Sequence, residues 1–279
     1  MAVMRETMFT FDPAALTALA KRHREAYAGG DPFPHIVFDD FLPEGVLDPV
    51  LEEFPDPTKI DWVTFDRATE RKLITKDENQ IGPYTRYLIA QLNSSTFIRF
   101  LQDLTGIQGL APDPHLLGGG LHRIEPGGFL KIHADFNQHP ELRLDRRINL
   151  LLYLNKDWPD AYGGHLELWD TVMTRCAKRV LPVFNRCVLF STTSTAYHGN
   201  PEPLTCPKGN SRKSLALYYY TNGRPEEEQR DSHSTLFKIR PGEKLTVTSK
   251  QLLRGLTPPL LFEAMARLRR RLRSSAEGD

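Results

Sequence analysis

Two rhythms of apolar and polar positions divide this chain. Over roughly the first hundred residues the apolar positions recur at helical spacing. Asp12-Pro13 predicts a helix start, with Asp as N-cap and Pro in the first turn. Leu16, Leu19, Ala20, His23 and Tyr27 then lie on one stripe, and Gly29-Gly30 ends it. Residues 32–38 read as extended. A second helix is expected over 43–54, where Val46, Leu47, Val50, Leu51 and Phe54 share a face. Helical spacing returns over 83–92 and over 95–104, with Phe97, Phe100, Leu101 and Leu104 on one side and Gly106 as the stop. Residues 56–80 break the rhythm: charges dominate, with Ile60, Trp62, Val63, Phe65, Leu73 and Ile74 between them. Such a stretch is either a solvated surface segment with a few anchors or a lid over a binding site.

From Leu116 the runs shorten and turn residues separate them. Strands are expected over 116–124, 129–133, 147–154, 165–169, 179–184, 187–191, 196–198 and 213–221. Pro126-Gly127-Gly128, Asn155-Lys156-Asp157, Gly163-Gly164, Asn185-Arg186 and Gly199-Asn200-Pro201 punctuate them. Short strands without intervening helices predict a double-layered jelly roll or barrel, because a parallel α/β sheet needs helical crossovers. The class is mostly β with flanking helices (α+β). One domain is expected over 1–279: a mostly helical support with the possible lid over 1–115, the roll over 116–222, and an extension over 223–279. Residues 236–239 and 245–248 are possible accessory strands, and a last helix starts at Pro259.

Composition narrows the class without naming a function. Hydrophobic residues make up 40% and charged residues 25%, as in an ordinary globular protein. A net charge of +1 gives no global attraction to nucleic acid or anionic membrane, so neither is expected as a partner. Arg267, Arg269, Arg270, Arg271 and Arg273 form a solvated face at the end of the last helix, or a docking face for an anionic partner. Cys176, Cys187 and Cys206 have no CxxC spacing and suggest neither disulfides nor a zinc knuckle. With no apolar run long enough to span a membrane, a cytoplasmic location is expected.

The chemistry-bearing residues sit in the β-rich part. His133 and Asp135 are two apart at the end of an apolar run, and on a strand residues i and i+2 point the same way. They can meet one metal ion, given a third ligand from elsewhere. His198, at the turn Gly199-Asn200-Pro201, is a candidate. Arg212 opens the apolar strand that ends the roll, where a buried guanidinium needs a carboxylate partner. Alone, each has a plainer reading: core histidine, turn acceptor, surface cation.

As an ordered set, His133-x-Asp135, His198 and Arg212-x-Ser214 resemble the Fe(II)/2-oxoglutarate-dependent dioxygenases, and the prolyl hydroxylase branch most. The run Arg147-Ile148-Asn149-Leu150-Leu151-Leu152-Tyr153-Leu154-Asn155-Lys156-Asp157-Trp158, followed by Gly163-Gly164-x-Leu166, carries the nearer likeness. The resemblance covers about 116–222. It implies a double-stranded β-helix (jelly-roll) core, with His133, Asp135 and His198 as catalytic iron ligands. Arg212 and Tyr153 would hold the distal carboxylate of 2-oxoglutarate, with a weaker contact from Ser214. O₂ is the other cosubstrate. The implied reaction hydroxylates an unactivated C–H bond and releases succinate and CO₂; a retained Asp135 favours hydroxylation over halogenation. The substrate would be a peptidyl proline, an amino acid or another small metabolite, and oligomeric state stays open. One departure stands out: Ile124 replaces a tyrosine common in that branch two residues before the Pro-Gly turn. The competing readings are a metal-dependent cupin-type enzyme, which expects an HxH pair absent here, and a non-catalytic jelly-roll binding module. His122 and His165 also fall in the roll, as packing or as cavity lining, and Phe129, Leu151, Leu168 and Trp169 are expected in the core.

Overall fold

Local capping chemistry starts the helices as expected. The computed structural model describes residues 8–243. Asp12 accepts a hydrogen bond from Ala14 N at 2.9 Å and caps α1 (Pro13–Ala28). β1 (His35–Phe38) follows, then α2, which forms only over Asp48–Glu52. The longer helix expected over 43–54 is interrupted because Gly45 adopts φ +83°, outside the right-handed helical region. Val46, Leu47 and Val50 are buried nonetheless. α3 (Pro83–Leu92) and α4 (Ser95–Thr105) match their stripes; Ser94 caps α4, and Gly106 ends it at φ +75°.

The charged stretch 56–80 is not an irregular connection throughout. It holds the hairpin β2 (Val63–Asp66) and β3 (Glu70–Ile74), paired from Val63↔Ile74 to Asp66↔Arg71. β3 is also hydrogen-bonded into the roll. Only β2 alternates, with Val63 and Phe65 on one face and Thr64 and Asp66 on the other. The remaining strands are β4 (Ala111–Pro112), β5 (Gly120–Ile124), β6 (Phe129–Ala134), β7 (Asp145–Tyr153), β8 (Leu166–Trp169), β9 (Cys176–Val180), β10 (Cys187–Ser191), β11 (His198–Asn200), β12 (Arg212–Thr221) and β13 (Leu236–Phe237). Two bounds differ in an instructive way. The strand expected over 116–124 begins at Gly120, because Leu116, Gly118 and Gly120 take positive φ. The one expected over 179–184 lies earlier, over β9, and Pro182 cannot donate to a ladder. The strand expected over 245–248 and the helix from Pro259 lie outside the described residues.

Pairing runs in the order β1-β10-β7-β12-β5-β3-β6-β11-β8-β9, all antiparallel. The sheet curls so that its two halves face each other. Tyr153, Val188 and Phe190 from one half pack with Leu166, Leu168, Val180 and Ala196 from the other. Strand alternation then decides what faces where. Ile148, Leu150 and Leu152 of β7, with Leu215, Leu217 and Tyr219 of β12, pack against Leu16, Phe97, Phe100, Leu101 and Leu104 of the helices. Asn149, Leu151 and Tyr153 have the opposite parity and face the interior. Of the residues expected in the core, Leu168 is buried there. Trp169 packs on the outer side of its strand with Ile132, Ala134 and Tyr197. Phe129 is only half-buried, beneath the Lys131 ammonium, because its strand partner at that end is the hairpin rather than an apolar layer.

Candidate active site

β6 ends in Lys131-Ile132-His133-Ala134, with Asp135 the next residue, and His133 and Asp135 share a face while Ile132 and Ala134 pack on the other. β11 lies alongside, with His198 directly opposite His133. Gly199 is required for that approach: a Cβ there would lie 2.7 Å from Leu130 O and 2.8 Å from Lys131 O. The result is a cluster in which one ligand atom from each of His133, Asp135 and His198 lies within 4.8 Å of the others. His133 Nε2 is 3.4 Å from Asp135 Oδ1, and His198 Nε2 is 3.4 Å from Asp135 Oδ2.

The protons on the rings say what belongs between these atoms. His133 Nδ1 lies 2.9 Å from Lys131 O, and His198 Nδ1 lies 3.0 Å from Ala196 O. A carbonyl can only accept, so both Nδ1 atoms carry hydrogen. Burial, with help from the neighbouring His133, lowers the His198 pKa to about 4, so at neutral pH its Nε2 is a bare lone pair. For Asp135, burial works to raise the pKa, but the charge of Arg146 leads the opposing contributions that outweigh it, and the carboxyl titrates well below its usual range. A lone pair thus faces a carboxylate oxygen across a short gap. A cation resolves that contact, and two imidazoles with one carboxylate form the donor set that suits Fe(II) with open positions. The backbone carbonyls on Nδ1 are the outer contacts that orient such ligands.

A second cluster lies deeper between the halves. Arg212 is 5% exposed, its Nε donates to Gly164 O at 2.8 Å, and its Nη2 donates to Tyr153 Oη at 3.2 Å. Two of its five N–H groups are thereby used. No carboxylate among the described residues pairs with it, and burial lowers its pKa. Burial raises that of Tyr153, so its hydroxyl stays protonated and free to donate. Gly164 makes room: it sits at φ +74°, and a Cβ would lie 2.9 Å from Arg212 Cδ. Ser214, directly opposite Tyr153 in the β7–β12 ladder, is 2% exposed and makes no hydrogen bond through its side chain among the described residues. His122 lies opposite Ser214 on β5, so it faces the same interior. Ile124, opposite Arg212, packs instead with Trp158, Leu204 and Cys206. His165 is turned to the rim, on Asp160 at 2.8 Å.

Two further residues reach Asp135 that the sequence reading passed over. Asn149 Nδ2 donates to Asp135 Oδ2 at 2.8 Å, and Arg146 Nη2 lies 3.1 Å from the same oxygen. Asn149 stands in the motif run, and a parity count on β7 places it inside; Arg146 has the wrong parity and gave no signal.

With the geometry in hand, known proteins supply an independent comparison. Residues 119–220 match the family model of the 2OG-Fe(II) oxygenase superfamily. A mouse protein described as prolyl 3-hydroxylase OGFOD1 is 26% identical over 199 residues; these are 68% of this chain and 33% of that protein, so the chain spans about a third of its relative. A prolyl 4-hydroxylase structure from Phytophthora capsici superposes with a TM-score of 0.52 at 20% identity, covering 96% of this chain and 79% of that one. HygX from Streptomyces hygroscopicus, solved with nickel, 2-oxoglutarate and hygromycin B, gives 0.51 at 12% identity, covering 77% and 96%. At these identities the superpositions speak to the fold, which is the jelly roll of such oxygenases.

Proposed function

We propose that this chain, a 2-oxoglutarate- and Fe(II)-dependent oxygenase resembling the prolyl hydroxylases, holds its iron with His133, Asp135 and His198 and hydroxylates an unactivated C–H bond. The observation that carries the assignment is the convergence of two imidazole Nε2 atoms and the Asp135 carboxylate in one cluster within 4.8 Å, with both Nδ1 atoms held by backbone carbonyls. Bound iron, with 2-oxoglutarate and O₂, supplies the oxidising chemistry, in which 2-oxoglutarate leaves as succinate and CO₂ and one oxygen atom enters the substrate.

The protein's part is to bind, orient and keep water out. The unused N–H groups of Arg212 and the Tyr153 hydroxyl form a fork for the distal carboxylate of 2-oxoglutarate, with Ser214 alongside. Arg212 otherwise lacks a buried counter-charge among the described residues, a costly state that a dicarboxylate relieves. Phe190 borders His198 at 4.7 Å and Phe237 of β13 borders His133 at 5.5 Å, so apolar rings wall two sides of the metal cluster. A peptidyl proline is the leading substrate, in keeping with what the mouse relative's name says of that protein. Free amino acids and other small metabolites form the comparison set. The cysteines form no disulfide among the described residues, which fits work in a reducing cytoplasm. No helix among the described residues is long and apolar enough to cross a membrane.

The test is spectroscopic first and catalytic second. Anaerobic addition of Fe(II) and 2-oxoglutarate is expected to give a charge-transfer absorption band, and O₂ to release succinate, faster with a proline-containing peptide. His198→Ala should abolish both while the protein still melts cooperatively. A wild-type protein with neither band nor succinate would sink the assignment.

A further inference from the structure

We infer that Arg146 and Asn149 are positioning residues that make Asp135 a one-oxygen metal ligand, and that a β-bulge at Arg147 exists to bring Arg146 to that task. The inference rests on the metal-ligand assignment above and adds which oxygen of Asp135 is left for the metal.

The carboxylate by itself does not decide. Each oxygen faces one imidazole Nε2 at 3.4 Å, so either or both could reach a cation between them. The surroundings break the tie. Asn149 Nδ2 donates to Oδ2 at 2.8 Å, and the Arg146 guanidinium brings its positive charge to the same oxygen, with Nη2 3.1 Å away. With a hydrogen bond and a positive charge on Oδ2, Oδ1 is the oxygen left for the metal. A two-oxygen grip would take a further coordination site from the cosubstrates.

The donors are themselves locked. Asn149 Oδ1 accepts from Arg146 Nε at 2.9 Å and from Arg146 Nη2 at 2.7 Å. A guanidinium offers only donors and a carboxylate only acceptors, so the Asn149 amide has one possible orientation, and the three side chains close a ring. The Arg146 guanidinium lies flat on Tyr218, 3.5 Å from the ring centroid, with Phe136 at 4.6 Å. The Tyr218 hydroxyl is tied to Gly118 O at 2.8 Å. Arg146 is 1% exposed and Asn149 2%, so neither charge nor amide is spent on solvent.

Backbone register shows that the arrangement is built. On β7 the residues facing the helices are Ile148, Leu150 and Leu152, and strict alternation would put Arg146 with them. In the ladder with β12, Tyr219 pairs with Ile148 but Tyr220 pairs with Arg146, leaving Arg147 unpaired. That extra residue reverses the parity and swings Arg146 inward to the side of Asn149. Arg147 instead runs out to Thr221 Oγ1 at 3.3 Å and Glu228 Oε2 at 3.1 Å.

The experiment compares Asn149→Leu with wild type in the full chain, using Co(II) alone as the probe. Leucine has nearly the shape of asparagine but neither the donor for Oδ2 nor the acceptor for Arg146. Outer contacts of this kind typically change metal affinity by about 10–100-fold, so Asn149→Leu is expected to bind Co(II) weaker than wild type by about that factor. The visible Co(II) spectrum should change as well, as the carboxylate becomes free to bind through both oxygens. Arg146→Lys, which keeps the charge but loses the fork to Asn149, is expected to follow it. Leu150→Val, on the opposite face of the same strand, should lower stability and leave Co(II) affinity and spectrum unchanged. Thermal melts of the metal-free proteins establish that each variant is folded. Wild-type Co(II) affinity and spectrum in folded Asn149→Leu overturn the inference. Failure of the metal-ligand assignment looks different: wild type then binds no Co(II), or His198→Ala binds as well as wild type.

Discussion

At the scale of single residues, the site is a problem of protons and lone pairs. Arg212 shows how far residue type alone carries: a lone arginine in an apolar strand asks for a carboxylate, and it is buried without one among the described residues. His122 shows the opposite. Its side chain was only one histidine among nine, and it takes the ladder to put it opposite Ser214 on the inner face. Burial first, then the positive charges of Lys72, Arg212 and Arg146, lower its pKa to about 3, against a hydrogen bond to Gly118 O at 2.9 Å. The sign of the effect follows. Below pH 6.5 the unfolded chain takes up a proton that the folded chain refuses until about pH 3, so stability is lost as pH falls through that window. His122→Gln keeps an N–H for Gly118 and cannot titrate. In urea unfolding at pH 7 and pH 5, the variant should lose less stability between the two, by on the order of 2 kcal/mol. An equal loss in both proteins would show that His122 does not carry the effect.

At the scale of elements, the strands act as rulers and their irregularities aim side chains. The alternation on β6 and β12 was readable, and it places His133 with Asp135 and Arg212 with Ser214. The bulge at Arg147 was not, because nothing in Asp145-Arg146-Arg147-Ile148 distinguishes a paired residue from an extra one. The hairpin β2–β3 was hidden by its charges, which belong to a pair half-exposed to solvent. Gly164 gives a test at this scale. It sits at φ +74°, and a Cβ would come within 2.7 Å of Leu204 Cδ2 and 2.9 Å of Arg212 Cδ. Gly164→Ala should cost about 1–3 kcal/mol in stability from strain and overpacking. It should also weaken 2-oxoglutarate binding to the metal-loaded protein, since Gly164 O is what Arg212 Nε holds. Isothermal titration with wild-type affinity would mean that Arg212 does not depend on this turn.

At the scale of the whole molecule, β7 and β12 are shared between two jobs. Their outward residues join the helices in one large core, and their inward residues line the chamber. The helical layer therefore supports the site without touching it. Phe97, fully buried, has its ring centroid 6.5 Å from that of Tyr219 of β12, with Phe100 and Phe11 beside it. Phe97→Ala should cost about 3–5 kcal/mol, seen as a lower unfolding midpoint, while the folded protein still binds Co(II). Loss of Co(II) binding without loss of stability would contradict this division of labour.

By itself, the sequence determined the helical stripes, the change to short strands and the ordered set of metal-type and carboxylate-binding side chains, because these depend on local spacing and residue chemistry. Only the tertiary structure decided that His133 and His198 lie opposite each other, that Arg212 has no counter-charge among the described residues, and that Arg146 and Asn149 converge on one oxygen of Asp135. Those facts depend on strand register across the curled sheet, and a single unpaired residue reverses which face a side chain takes. The pair His133 and Asp135 was visible as letters; what orients Asp135 was not.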